Sequence, residues 1–211
     1  MKSFSQWSIE EVEDTFNVVI QKHSSLLQGW LEITESVVAT QEEEIMLNEL
    51  CERLQDHVWD WNEWELKVKF IMPLLLAVNF DQERYQSFIE REISVLIENE
   101  RLVGTVDFVV ASGKRSPKRP YFFINEFKKE KESSNDPLGQ LMVAMISAQR
   151  LNNDNNPLYG AYVMGRFWFF VVLHGQEYST SLAYDATKHD LKEIFCILKK
   201  TKGNIELMTK A

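Results

Sequence analysis

The stretch Leu102–Lys128, LVGTVDFVVASGKRSPKRPYFFINEFK, decides how the chain is read. Leu102 to Val110 is rich in β-branched residues, Ser112 to Pro120 has the Gly, Ser and Pro of a turn, and Tyr121 to Phe127 is apolar again. Two strands joined by a loop are expected, and the charges inside them need a reason. Asp107 interrupts the first strand; Glu126 and Lys128 close the second. Side chains at i and i+2 of a strand share a face, so Glu126 and Lys128 project together, with Phe127 on the other side. If the two strands pair as a hairpin, Asp107 joins them. Burying a charge costs several kcal/mol unless it is paired or binds a metal.

Two carboxylates and an ammonium at strand ends suit a hard divalent cation. Mg²⁺ takes one or two carboxylates, several waters and substrate phosphate oxygens. On this reading Asp107 and Glu126 hold Mg²⁺, helped by the backbone carbonyl of Phe127. Lys128 orients or deprotonates a bound water, or stabilises the charge of a phosphoryl transition state. The other reading of the trio is a buried ion-pair network that fixes strand register.

Upstream of these strands the chain reads as helical. One pattern runs from about Ile9 to Ile33, with breaks near Ser24 and Gly29. A second covers Glu42 to Trp59, where Met46, Leu50, Leu54 and Val58 recur at i+4. A third begins near Asp60, with Asp60 and Glu63 at capping-box spacing, and Pro73 is expected to kink or shorten it. In that helix Trp64, Val68, Ile71 and Leu75 form one apolar stripe. Trp59, Trp61 and Trp64 are read as core packing or a dimer seam. Downstream, Asp136-Pro137 is an N-cap followed by Pro at N1, opening a helix to about Arg150. Leu158 to Met164 and Phe167 to Leu173 flank Gly165-Arg166 as a strand pair. Glu177 to Tyr184 reads as one more strand, and Asp190 to Lys200 as a closing helix. The expectation is an α/β fold, a mixed sheet flanked by helices, with residues 1–60 an acidic helical extension and 61–211 the main domain.

The pattern resembles the PD-(D/E)XK phosphodiesterase superfamily, of restriction-endonuclease-like fold. Asp107 in GTVDFVV and Glu126-Phe127-Lys128 in NEFKKE match its paired motifs, with Val106 where the family often has proline. The stretch NEWELKVKFIMPLLLAVNF is similar to the helix that precedes the sheet in the nuclease domains of type I restriction enzyme R subunits. YGAYVMGRFWFF is similar to their later strand pair, and the likeness covers about Glu63 to Tyr184. It implies a Mg²⁺-dependent endonuclease acting on DNA, with Mn²⁺ able to substitute. It also implies active-site roles for Gln140, on the helix after the second motif, and for Glu63, with Glu65 as its neighbouring alternative. The other member of the pair of readings is a non-catalytic protein of the same fold that binds nucleic acid or a protein partner.

The formal net charge is −9, which by itself argues against a polyanionic partner. Its distribution changes that. Residues 1–60 hold 13 acidic and 3 basic residues, whereas seven basic residues fall between Lys114 and Lys131. Lys129 and Lys131 are the candidates for phosphate contact. The run Lys114 to Arg119 is read first as a solvated turn. The acidic helices offer an interface for a homodimer or another protein. No apolar run approaches the ~18 residues of a membrane span, and the first residues lack a signal-peptide core, so a cytoplasmic protein is expected. Cys51 and Cys196 lack metal or redox spacing, and the four histidines form no cluster.

Overall fold

The computed structural model describes residues 2–97, 100–128 and 136–210. The elements follow in order. α1 (Ile9–Phe16), β1 (Val19–Ile20), α2 (Ser25–Leu31) and α3 (Gln41–His57) come first. α4 (Glu63–Leu66) runs through a π-helical turn at Lys67–Ile71 into α5 (Met72–Val78). Then come β2 (Gln86–Ile97), β3 (Glu100–Ser112), β4 (Lys118–Lys128), α6 (Pro137–Asn152) and β5 (Leu158–Met164). β6 (Phe167–His174), β7 (Glu177–Thr180), β8 (Tyr184–Asp185) and α7 (Asp190–Lys210) close the chain. Among the described residues no helix is long and apolar enough to cross a membrane.

The fold is α/β. The eight strands form one mixed sheet in the order β1-β7-β6-β5-β4-β3-β2, with β8 paired to β6. β2, β3 and β4 make an antiparallel meander, α6 crosses over, and β5 lies parallel to β4. Each sheet face has its own core. Phe123 and Phe127 of β4 pack with Trp30, Leu54, Phe70 and Phe195 on one face. Ile124 packs with Val12, Leu141 and Met145 on the other. That alternation is the two-residue period of a strand buried on both sides.

The first 60 residues cover both layers. α1 and the segment before it lie on α6, so α6 is buried from Gly139 to Ala148 and has no solvated face. Gly139 is needed there: a Cβ would sit 2.4 Å from the Trp7 carbonyl oxygen. Asp136 caps α6 through Oδ1, which accepts from the Leu138 and Gly139 N–H groups, and its Oδ2 accepts from the Ile9 N–H at 2.7 Å. On the opposite face Trp30 donates its indole N–H to Thr201 of α7 at 2.9 Å. Glu43 and Glu44 of α3 pair with Lys199 and Lys192 of α7, so two charges of the acidic helix meet basic partners within the fold.

Several local expectations change. The helical pattern of Ile9–Ile33, expected to break near Ser24 and Gly29, is interrupted earlier, after Asn17, which is left-handed (φ 52°), by the two-residue β1 paired parallel with β7; Ser24 then caps α2. The strand expected at Glu177–Tyr184 is divided into β7 and β8, which both pair with β6. α7 runs ten residues past Lys200, because Thr201 and Ile205 continue its buried face. Pro73 does not end its helix. Lacking an N–H, it leaves the Lys69 carbonyl without that donor; the helix widens instead, with the Met72 N–H reaching back to the Lys67 carbonyl. Phe70, Ile71, Leu74 and Leu75 then all face the core, while Trp64 and Val68 of the expected stripe stay exposed. Trp61 is core; Trp59 lies at the surface with the Arg166 guanidinium 5.5 Å from its ring centre.

Candidate functional site

β3 and β4 pair only over part of their length. Their ladder ends at Phe108↔Asn125. Beyond it β3 continues against β2, with Ser3 bridged to Val103 on its other side, and β4 runs on beside β5 through Glu126, Phe127 and Lys128. The strands therefore fork, and one further step of the count sets Asp107 across from Glu126 at the fork. Regular pairing also breaks on the other side of Asp107. β2 pairs Ile89 with Phe108 and Arg91 with Val106, and Glu90 between them is left-handed at φ 49°. A non-glycine residue held there costs about 1–3 kcal/mol.

Asp107 makes up for the missing ladder bond with its side chain. Its Oδ2 accepts from the Phe127 N–H at 2.8 Å, and its Oδ1 accepts from the Lys67 ammonium at 2.7 Å. Lys67 also pairs with Glu63 at 3.0 Å, one helical turn earlier. Burial alone would lower the Lys67 pKa, but the bonds and charges of Asp107 and then Glu63 hold it above its ordinary value.

Glu63 is available because the helix cap lies elsewhere than expected. The N-cap is Asn62, whose side chain accepts from the Glu65 N–H at 2.9 Å, while Glu65 accepts from the Asn62 N–H at 3.1 Å. Asp60 pairs instead with His57 at 3.2 Å. The two-residue shift makes Glu65 the capping residue and turns Glu63 toward the fork. The Glu63–Glu65 ambiguity of the sequence is resolved in position, with Glu63 beside Asp107 through Lys67.

Glu126 is fully buried. Gln140, itself buried on α6, donates its side-chain N–H to Glu126 Oε2 at 2.7 Å. Glu126 Oε1 has no hydrogen-bond partner among the described residues. Burial, and then the neighbouring Asp107 carboxylate, hold the Glu126 carboxyl well above the ordinary carboxylate range; the Lys128 and Lys67 ammoniums act the other way. Lys128 is half-buried at the end of β4, on the Glu126 face, and its carbonyl accepts from the Gly165 N–H at 2.8 Å. The fork thus gathers Asp107, Glu126, Lys128, Gln140 and Glu63, with the Phe127 backbone between them. It also gathers Lys67, which the sequence reading missed. Its only signal was its place four residues after Glu63.

Lys129 and Lys131 lie outside the described residues. The basic run Lys114–Arg119 sits at the opposite end of the hairpin. Five residue steps along β3 lead from Asp107 to Ser112, about 17 Å at ~3.4 Å each, and Arg119 donates a hydrogen bond of 3.1 Å to the Leu151 carbonyl.

Three ligand-type side chains within 4.8 Å of one another occur, among the described residues, at His189, Asp190 and Glu193. They are solvent-facing or half-buried, and Asp190 Oδ2 is engaged by the Asp185 N–H at 2.9 Å. No protein-family model matches the chain, and no curated protein sequence matches it.

Proposed function

We propose that the protein is a Mg²⁺-dependent nuclease of restriction-endonuclease-like fold that hydrolyses phosphodiester bonds in DNA. The order of elements supports this reading: a helix, an antiparallel meander, a crossover helix and a strand parallel to the last of the meander. The observation that carries it is Glu126. A buried ion-pair network gives each carboxylate a cationic donor, but the hydrogen bond to Glu126 comes from a neutral amide, and its other oxygen has no partner among the described residues. A fully buried carboxyl close enough to the Asp107 carboxyl for a shared proton to raise its pKa, with one oxygen given no donor by the described residues, fits a divalent cation as the partner that takes that proton's place.

Asp107 and Glu126, with the Phe127 carbonyl, would hold that ion. When bound, it would lower the pKa of a water and offset charge developing on the phosphate. The protein's own groups do the rest. The Phe127 N–H fixes the orientation of Asp107. Gln140 fixes Glu126 from below. Lys128, on the Glu126 face, orients the attacking water and takes its proton, or stabilises the phosphorane.

The test is incubation with supercoiled, linear and single-stranded DNA in Mg²⁺ or Mn²⁺ and then in EDTA, beside Asp107→Ala and Lys128→Ala. Metal-dependent cutting that both variants lose, with unchanged far-UV circular dichroism, is the expected result. No cutting, together with no heat of binding for either metal, would overturn the reading in favour of a non-catalytic binding protein.

A further inference from the structure

Among the described residues the fork contains two lysines, Lys128 and Lys67, and the second has no place in the chemistry so far. Lys67 comes from the π-helical turn, 40 residues from Asp107, and its side chain is 12% exposed. Its ammonium bridges Asp107 Oδ1 and Glu63 at 2.7 and 3.0 Å. Asp107 Oδ2 accepts from the Phe127 N–H and Oδ1 from Lys67, so a cation held by Asp107 beside Glu126 would share that carboxylate with the Lys67 ammonium.

The charge count at the fork gives Lys67 a purpose. Among the described residues, and once a bound cation has displaced the Glu126 proton, Glu63, Asp107 and Glu126 supply three negative charges, and Lys128 supplies one positive. A divalent cation brings this set to neutrality, which gives a phosphodiester no net attraction. Lys67 raises it to +1, matching the single charge of one phosphodiester group. An ammonium on a four-carbon stem can move between carboxylate and phosphate without moving the helix that carries it.

Resting on the nuclease reading, we propose that Lys67 competes with the divalent cation for Asp107 and, once displaced from it, binds the substrate phosphate. Lys67 is then a regulator of metal loading and a phosphate ligand of the same site. A lysine that merely props Asp107 in place makes the opposite prediction, because its removal would loosen a metal ligand.

The test is calorimetric titration of Mn²⁺ alone, without DNA, into wild type, Lys67→Met and Lys67→Arg. Lys67→Met keeps the stem and removes the charge, and its folding is checked by circular dichroism. Coulombic repulsion between close like charges at partly buried sites amounts to kcal/mol, so Lys67→Met is expected to bind Mn²⁺ about tenfold more tightly. Lys67→Arg keeps the charge and should stay within about twofold of wild type. In the nuclease assay Lys67→Met should raise KM for DNA more than it lowers kcat, and it should reduce by about one the slope of log affinity against log salt. Unchanged or weaker Mn²⁺ binding by Lys67→Met, while wild type binds, overturns the Lys67 proposal alone. If neither wild type nor Lys67→Met binds Mn²⁺ the Lys67 proposal falls, and the nuclease reading falls with it when wild type also cuts no DNA.

Discussion

β3 and β4 carry charge at both ends, and the two ends treat it in opposite ways. At the hairpin end Lys114, Arg115 and Lys118 are exposed to water, and Arg119 donates to a helix carbonyl. At the fork end Glu126 is fully buried, its carboxyl held high, and one of its oxygens is unpartnered among the described residues. The number of charges therefore says little about where chemistry can occur. Solvated charges are each worth little in stability or field. A buried carboxyl beside a half-buried one is costly, and the pair persists because the fold over-determines it: Asp107 by two donors, Glu126 by Gln140 and the α6 layer.

The comparison can be broken most directly at the level of activity. Asp107→Ala should lower DNA cleavage by about 10³-fold or more, the scale on which losing a group that acts in the transition state is felt. The triple variant Lys114→Ala, Arg115→Ala, Lys118→Ala at the hairpin end should change kcat less than about twofold. Equal losses from both ends would show that the fork is not where bonds are broken.

Stability sharpens the contrast next. Because the folded pKa of Glu126 lies above its ordinary value of 4.5, the folded state holds a proton that the unfolded chain has released. Folding in EDTA should therefore lose stability as pH rises above the ordinary value, until the raised pKa is passed. Glu126→Gln removes that proton linkage. It should be more stable than wild type by about 1–3 kcal/mol at neutral pH, the scale of an unmet buried polar group, and no more stable near pH 4. Urea denaturation at the two pH values measures this. A variant equally stable at both would mean that Glu126 is satisfied within the fold.

The smallest effects concern how the fork's helix is started. Asn62→Ala should cost about 1 kcal/mol as a lost N-cap and should loosen the Glu63–Lys67 pair beside the site. Asp60→Ala, which removes only an exposed pair with His57, should stay within about 0.5 kcal/mol of wild type. Thermal unfolding of the two variants side by side distinguishes the two cap positions.

Much of the β region was readable in advance. Leu158–Met164 is found as a strand with the bounds that its composition implied, and Asp136-Pro137 caps α6 as its residue types require. These follow from local chemistry: a continuous apolar run between turn residues, and a carboxylate ahead of a proline that has no N–H to satisfy. The grouping of Asp107 with Glu126 was also within reach, since strand periodicity and one hairpin suffice to bring them together. The sequence read less well wherever two residues competed for the same local task. Asp60 and Asn62 both precede a Glu at i+3, and spacing cannot choose between them. Nothing local marks Gln140 as facing the sheet; only the packing of α6 on β4 brings it to Glu126.

The sequence by itself determined the types of the elements and the chemistry that Asp107, Glu126 and Lys128 could bring to a strand pair, because periodicity and capping act over a few residues. Only the tertiary structure decided that β3 and β4 fork at Asp107 and that Lys67 closes on it from 40 residues away. The same holds for the acidic N-terminal helices, two of whose glutamates meet lysines of α7. Those outcomes depend on contacts between elements distant in the chain, and on what is left unpaired when they meet, which no local pattern encodes.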